Sequence, residues 1–538
     1  MRSIRRRLVA ILVIAFIVIF GELAFANAIK RDRPLIQSPI KITEAFKDIA
    51  YNPTFPEKRN IVPLNPTSQE EKAINEFAWR VFIALNWPVD CQGQPLSASD
   101  QNSAKLIGQA PEKPRAWELY PSPKDVFLKK GATPPSLDKL PEDERCLNDR
   151  AGSEIEYKQS LRLTETGELV GTQEFKEVET ASRKNLLDGY GELNQELSLK
   201  DIDAANQIPL VDRQGNYVVN EIRLNPIEYN QILAEKWYDA THLADLVKSN
   251  KQFQFLCSKG RETTTNRTFC DQYEAEGAME IKAVWRVFDQ RNLAEEKAKY
   301  YTRTRKISGK KGELLEQAEL GLIGFHIMQK TSSRGWIWST FEHIDNAPSC
   351  ANHETALYTL YNNECKTGKC QENRPYVKQP YFWDISDGEP KAVTLEEIAI
   401  KDQTPSQICR VNSISKSAME QNQKWQESLK ASAESSVWQH YQLIGTQWLQ
   451  NPGIPYSNTA VSRREIIPAR IPLTNVALEP YAQGVSCIVC HTTARLPIPG
   501  KFCQLNGDSK NCADFSFLMD NARPTSKFLP NAINNFSN

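Results

Sequence analysis

Forty-seven residues before its end the chain reads Cys487-Ile488-Val489-Cys490-His491, and no other stretch restricts its fold as strongly. Two cysteines three positions apart on a helical turn can each add to one vinyl group of a haem. The histidine next to them can turn its imidazole onto the iron as proximal ligand. C-x-x-C-H is thus the attachment signature of a covalent c-type haem. With 12 Cys and 6 His in 538 residues, random placement gives such a pentamer about 0.003 times per chain. The alternatives are a redox disulfide and half of a zinc site. Zinc wants a second Cys or His pair at similar spacing, and neither Cys503 nor Cys512 belongs to one. In a small cytochrome c domain the motif lies near the start, and the residues after it build most of the pocket. Here the short tail cannot do that alone, so the walls have to come from upstream chain.

The N-terminus names a compartment. Arg2, Arg5, Arg6 and Arg7 precede an unbroken apolar run from Leu8 to Phe20. Ala24-Phe25-Ala26 and Ala26-Asn27-Ala28 are small-x-small cleavage sites. This pattern reads as a secretory signal over residues 1–28, with an uncleaved anchor as the alternative; Glu22 interrupts the run, which is short for a bilayer span. Haem attachment to C-x-x-C-H takes place in an oxidising compartment, so the expected location is periplasmic or otherwise exported.

Ten cysteines remain outside the motif, an even number. Short separations suggest Cys257 with Cys270, Cys365 with Cys370 and Cys503 with Cys512. Longer closures such as Cys91 with Cys146 and Cys350 with Cys409 use the rest, although sequence alone leaves the connectivity open. The precursor is formally neutral. Cleavage after Ala28 leaves 62 basic against 65 acidic residues, a balance that argues against nucleic acid as a partner.

Hydrophobic periodicity divides the chain beyond residue 28. Residues 29–66 form a Pro-rich arm or linker, 67–465 a large body, and 466–538 the haem-attachment segment packed on it. A helix begins at the capping-box-like Ser68-Gln69-Glu70-Glu71 and runs to Pro88, with Phe77, Val81 and Leu85 on its apolar side. Residues 108–150 are punctuated by proline and read as an excursion. Helices are expected at Ala181 to Gly189 and Pro226 to Leu246, with a strand at Tyr217 to Leu224. Ala278 to Phe288, Lys299 to Ile307, Leu320 to Lys330, Gly335 to Glu342 and His440 to Trp448 are aromatic and β-branched runs, hence strands of a central antiparallel meander. The expected class is α+β: a central antiparallel sheet with peripheral helices and a C-terminal helical haem-binding segment. Within that segment Val476 to Gln483 is expected to be a short helix, and Asp514 to Asp520 to cross the other face of the haem.

Two residues stand out as candidates for the sixth iron ligand. Met519 comes soon enough after His491 to fold over the distal face. His326 and Met328 are two apart in a strand, so they point to one side. Core packing is the plainer reading of Met519, and a hydrogen-bonded half-buried imidazole that of His326. An open position beside His326 or His343 would permit small-molecule chemistry. The basic stretch from Lys297 to Lys311 offers a docking face for an acidic redox partner, against the plainer reading of a solvated strand and loop. Trp336, Trp338 and Phe341 line a cleft or pack a sheet. Nothing resembles a P-loop, a serine-hydrolase elbow or a zincin helix.

Phe77-Ala78-Trp79 with Ala84-Leu85-Asn86-Trp87-Pro88, Gly321-Leu322-Ile323-Gly324-Phe325-His326-Ile327, Trp336 to Asn346, Gly445-Thr446-Gln447-Trp448 and the C-x-x-C-H together resemble large exported bacterial proteins of the cytochrome c family type. The resemblance runs from about Glu70 onward. It implies one covalent haem c near the C-terminus of a sizeable body, with Cys487 and Cys490 as anchors and His491 on the iron, and it carries no activity with it. The expectation is an exported monohaem c-type cytochrome handing single electrons to a redox partner protein, with no membrane span after cleavage. The alternative is a haem-containing oxidoreductase or small-gas sensor with an open iron position.

Overall fold

The computed structural model describes residues 68–96, 107, 112–140, 196–197, 210–258, 273–352, 357–374, 383–384, 391–392, 405–449, 466–467, 472–503 and 509–525, with short breaks inside several of these ranges. The signal segment and Pro-rich arm, the helix expected at Ala181 to Gly189, and Cys146, Cys270 and Cys370 lie outside the described residues.

Helix α1 spans Ser68–Leu85. Its acidic first turn, favoured by the helix dipole, is spent on tertiary contacts: Glu70 pairs with Arg334 at 2.7 Å and Glu71 accepts from Ser415 Oγ at 2.8 Å. Next come β1 (Val219–Leu224), α2 (Pro226–Ala234) and α3 (Ala240–Lys248). The single helix expected over Pro226 to Leu246 is therefore broken. Lys236 sits at φ 55°, a left-handed geometry that ends a helix, and Asp239 restarts one by accepting from Thr241 N at 2.9 Å.

The sheet is built on β2 (Met279–Val287), β3 (Thr302–Ser308), β4 (Leu314–Thr331), β5 (Gly335–His343) and β6 (Tyr441–Leu449). With β1 these are six strands, each antiparallel to its long neighbours. The 18-residue β4 is the spine. Gly321 is paired both with Thr302 of β3 and with Arg286 of β2, and Gly324 both with Val284 of β2 and with Glu342 of β5. So β2 takes one edge of β4, while β3 and β5 share the other end to end. A simple meander would have paired β2 with β3; the length of β4 lets β2 skip it. The α+β class holds, with α1 and α4 (Lys416–Ala431) beside the sheet.

Strand alternation gives the two faces different chemistry. Phe325 and Phe341, paired across β4 and β5, point to one face. There Phe82 stacks on Phe341 at 4.2 Å and meets Phe325 edge-on at 5.7 Å, and Trp79 stacks against Trp425 of α4 at 6.1 Å. These are the aromatic contacts that the apolar stripe of α1 supplies. The opposite face carries Glu280, Lys282, His326, Met328, Lys330, Trp336, Trp338, Thr340 and Glu342, in register across β2, β4 and β5.

Residues 473–483 lie over this second face. Asn475 Nδ2 donates to Thr340 Oγ1 at 2.8 Å, and Val476 N to Glu342 Oε1 at 2.6 Å. Gly324 is what lets them approach, since a Cβ there would stand 3.3 Å from Ala477 Cβ, Asn475 Oδ1 and Val284 Cγ2 at once. The helix expected at Val476 to Gln483 is instead a series of turns, closed by local bonds such as Glu479 N to Asn475 O at 2.8 Å and Ala482 N to Glu479 O at 3.1 Å, while Val476 N is drawn to Glu342. Replacing Gly324 by Val should overpack this contact and cost about 1–3 kcal/mol, measured as a lowered urea midpoint. An unchanged midpoint would mean that the segment does not press on the strand.

Candidate functional site

Helix α5, Cys487–His491, is one turn capped by Ser486 Oγ, which accepts from Val489 N at 3.3 Å. Residues three apart share a side of a helix, so Cys487 and Cys490 present their sulfurs together. Cys487 is half-buried with Sγ 3.4 Å from Leu473 O; Cys490 is exposed. Ile488 is buried in the apolar cluster of Phe515, Leu518, Met519 and Trp338. Apart from α5, the described C-terminal residues hold only the short 3-10 turns Ser509–Asn511 and Phe517–Asn521, so the segment is less helical than its sequence suggests.

Every described cysteine other than Cys487 and Cys490 is in a disulfide. Cys503 is bonded to Cys512, as their short separation suggests, and Cys350 to Cys409, one of the longer closures that the sequence leaves open. Cys91, Cys257 and Cys365 are bridged as well. Burial, with the Glu479 carboxylate adding to it, pushes both motif thiols up.

His491 is held from behind. Its Nδ1 lies 2.6 Å from Phe515 O. A carbonyl can only accept, so Nδ1 carries the hydrogen. Burial pushes the imidazole down to about 4, leaving Nε2 as a free lone pair at neutral pH. The rings of Phe517 and Trp338 stand 5.1 and 5.8 Å away. Two consecutive left-handed residues, Asp514 (φ 49°) and Phe515 (φ 69°), aim that carbonyl, at a cost of about 1–2 kcal/mol each. The ion pair of Asp514 with Lys330 of β4, together with Phe255 N donating to Asp514 Oδ2 at 2.8 Å, holds the bend. The tail therefore meets His491 at Nδ1 through the Phe515 carbonyl.

Met519 is fully buried in the apolar cluster with Leu518 and Ile488. His326 lies on the sheet face that packs against the motif, opposite Thr340 and beside Lys282. Its side chain is 19% exposed, yet Nε2 is shielded from solvent and lacks a hydrogen-bond partner. The nearest acid, Glu479 Oε2, is 3.7 Å away and accepts from Asn475 N at 3.0 Å. Burial, then Lys282 and His491, hold His326 well below its usual range. Burial also pushes Glu479 up to about 7. His343 is different: Nε2 is 3.0 Å from Lys299 O and Nδ1 accepts from Asp345 N at 3.1 Å. With both nitrogens occupied and Tyr300 stacked at 3.7 Å, it is a structural residue. In the basic stretch, Lys297 pairs with Glu319, Lys299 with Asp345 and Arg303 with Glu118, so these charges serve the protein's own carboxylates.

Sequence reading misses the charged cluster under the tail, where Glu228, Glu280 and Asp514 surround Lys330. Burial pushes Glu228 well above the usual carboxylate range and Glu280 up to about 7. Its local signal is no more than polar residues recurring at alternate positions of two otherwise apolar strands. Lys330→Met would strip the cation from these carboxylates and should cost about 3–5 kcal/mol in chemical denaturation; a loss under about 1 kcal/mol would contradict the pairing. Between the ordinary value of 4.5 and about 7, folded Glu280 keeps a proton that the unfolded chain releases. Stability should accordingly be greatest below about pH 4.5, as far as this group goes, and fall as pH rises through about 7. Denaturation midpoints between about pH 5 and 8 should fall less steeply for Glu280→Gln than for the parent; equal slopes would remove Glu280 as the source.

Among the described residues no helix is long and apolar enough to cross a membrane, and no three His, Cys, Asp or Glu side chains stand together as a metal-holding group. No protein-family model, curated protein or solved structure matches the chain.

Proposed function

We propose that the protein is an exported c-type cytochrome with one covalent haem, anchored through Cys487 and Cys490 with His491 as proximal iron ligand, and that it transfers single electrons. The observation that carries this reading is the 2.6 Å contact of His491 Nδ1 with Phe515 O. A carbonyl placed behind the ring in this way fixes the tautomer and turns Nε2 outward as a basic donor. The thiol pair on the same turn fits the group too, for it stays reduced while every other described cysteine is bridged. When bound, the haem supplies a one-electron couple at its iron. The chain's own part is to orient His491, shelter it with Trp338 and Phe515, and keep its imidazole neutral.

The competing readings of the motif fare worse. A redox-active C-x-x-C lowers the pKa of its attacking thiol, whereas both thiols here are pushed up. A zinc site needs four ligands from protein or water; a haem iron takes four nitrogens from its own macrocycle and asks the chain for one or two. A haem enzyme or gas sensor working beside His343 lacks a free ring nitrogen there. The disulfides Cys350–Cys409 and Cys503–Cys512 agree with export, as does the N-terminal pattern.

The protein purified from a host that attaches haem c should keep one haem through denaturation and acid extraction, and Cys487→Ala with Cys490→Ala should release it. Loss of all haem from the parent protein on extraction would end this reading. Reduced protein that binds carbon monoxide at once, with a high-spin spectrum, would favour the haem enzyme or sensor over electron transfer.

A further inference from the structure

We infer that His326, rather than Met519, is the second axial ligand, so that the iron is held between two imidazoles. This rests on the haem reading above and goes beyond it by naming the residue that closes the coordination sphere. Four observations converge on His326. Its Nε2 is shielded from solvent and unpartnered, a condition that is unfavourable for a buried polar atom unless something binds it. It sits on the face of the sheet that meets the attachment turn. Met328, two residues along β4, is paired with Trp338, whose ring is 5.8 Å from that of His491. Residues i and i+2 of a strand are about 7 Å apart, so His326 stands one such step from Met328, the cross-strand partner of the residue whose ring meets His491.

Second, the acid nearest His326 Nε2 does not capture it. Glu479 Oε2 stops 3.7 Å away and is already bonded to the Asn475 amide. Third, β4 is the most constrained strand of the sheet. It is paired on both edges at this point, to Lys282 and to Thr340, so the imidazole is carried by a rigid element as a pre-organised ligand should be. Fourth, Met519 is fully buried in the apolar cluster with Leu518 and Ile488, and Ala522 N closes back on Met519 O at 3.0 Å, so its thioether is already committed to core packing.

The test begins with wild-type holoprotein, where no variant needs to fold. Near-infrared magnetic circular dichroism places the ferric charge-transfer band differently for two histidines than for histidine with methionine. The expected result is the bis-histidine position, with no red absorption band of methionine ligation. The His326→Ala holoprotein should then turn high-spin and bind carbon monoxide within mixing time, and added imidazole should restore the low-spin spectrum. Met519→Leu should leave the spectrum unchanged. Methionine-type bands in the wild type, or a His326→Ala protein that stays low-spin without imidazole, would overturn the assignment while leaving the covalent haem in place. Wild-type protein without covalent haem would overturn the parent reading along with it, and acid extraction tells the two failures apart.

Discussion

The buried ion pair between Lys330 of β4 and Asp514 of the tail governs the site. Both side chains are almost completely enclosed, at 2 and 3% exposure, where an unpaired charge would cost several kcal/mol. The pair can therefore form only with the tail pressed onto the sheet in one register. Once it forms, the two left-handed residues Asp514 and Phe515 have one direction in which to point the Phe515 carbonyl, and that direction is His491. The Lys330 ammonium also lies 5.6 Å from the Trp336 ring centroid, so the cation is clamped from the strand side as well. Orientation of the His491 imidazole is thus set by a strand residue 161 positions upstream rather than by the turn that carries it.

The sheet supports this because its two faces do different work. One is sealed by Phe82, Trp79 and Trp425 from α1 and α4, through ring contacts of the kind that stabilise cores beyond their buried area. The other spends part of its packing on polar and charged groups, many of them answered by the covering segments: Thr340 by Asn475, Glu342 by Val476 N and Arg410, Lys330 by Asp514. His326 Nε2 is a buried exception on that face near the motif. A fold can carry such an exception when the opposite face supplies the stability, and buried polar atoms left over in a structure tend to mark function.

Much of this is written locally in the sequence. The α1 stripe, the five strand runs and the motif turn appear where their periodicity puts them, and the even–odd alternation Gly324, His326, Met328, Lys330 against Phe325 and Ile327 already separates the two faces. The pairing of Cys503 with Cys512 also agrees with their spacing. The remaining features depend on contacts that leave no local pattern. Lys236 breaks the helix over Pro226 to Leu246 without a glycine to announce it. Val476 to Gln483 looks helical in isolation, but its two ends are tied elsewhere: Val476 N donates to Glu342 of β5, and Gln483 donates to Cys409 O and accepts from Asn412 Nδ2. Lys330 and Asp514 are 184 residues apart, and either alone reads as a surface charge.

The attachment turn itself has an inside and an outside, and this bears on how electrons would pass. Ile488 is fully buried and Cys487 half-buried, while Val489 is 41% and Phe517 40% exposed and Cys490 faces solvent. Exposed apolar side chains next to a buried anchor are what a flat, largely apolar group would cover on one side and leave open on the other. His491 lies toward the sheet against Trp338, so a group bound there as proposed would be screened from water on that side, while the rim at Cys490 stays within reach of another protein. One-electron transfer needs that combination of a closed coordination sphere and an accessible edge. Small-molecule chemistry needs the reverse, an open iron position with a route to it. With Ile488 buried on one side of the turn and Cys490 exposed on the other, a haem bound as proposed would meet the first set of requirements.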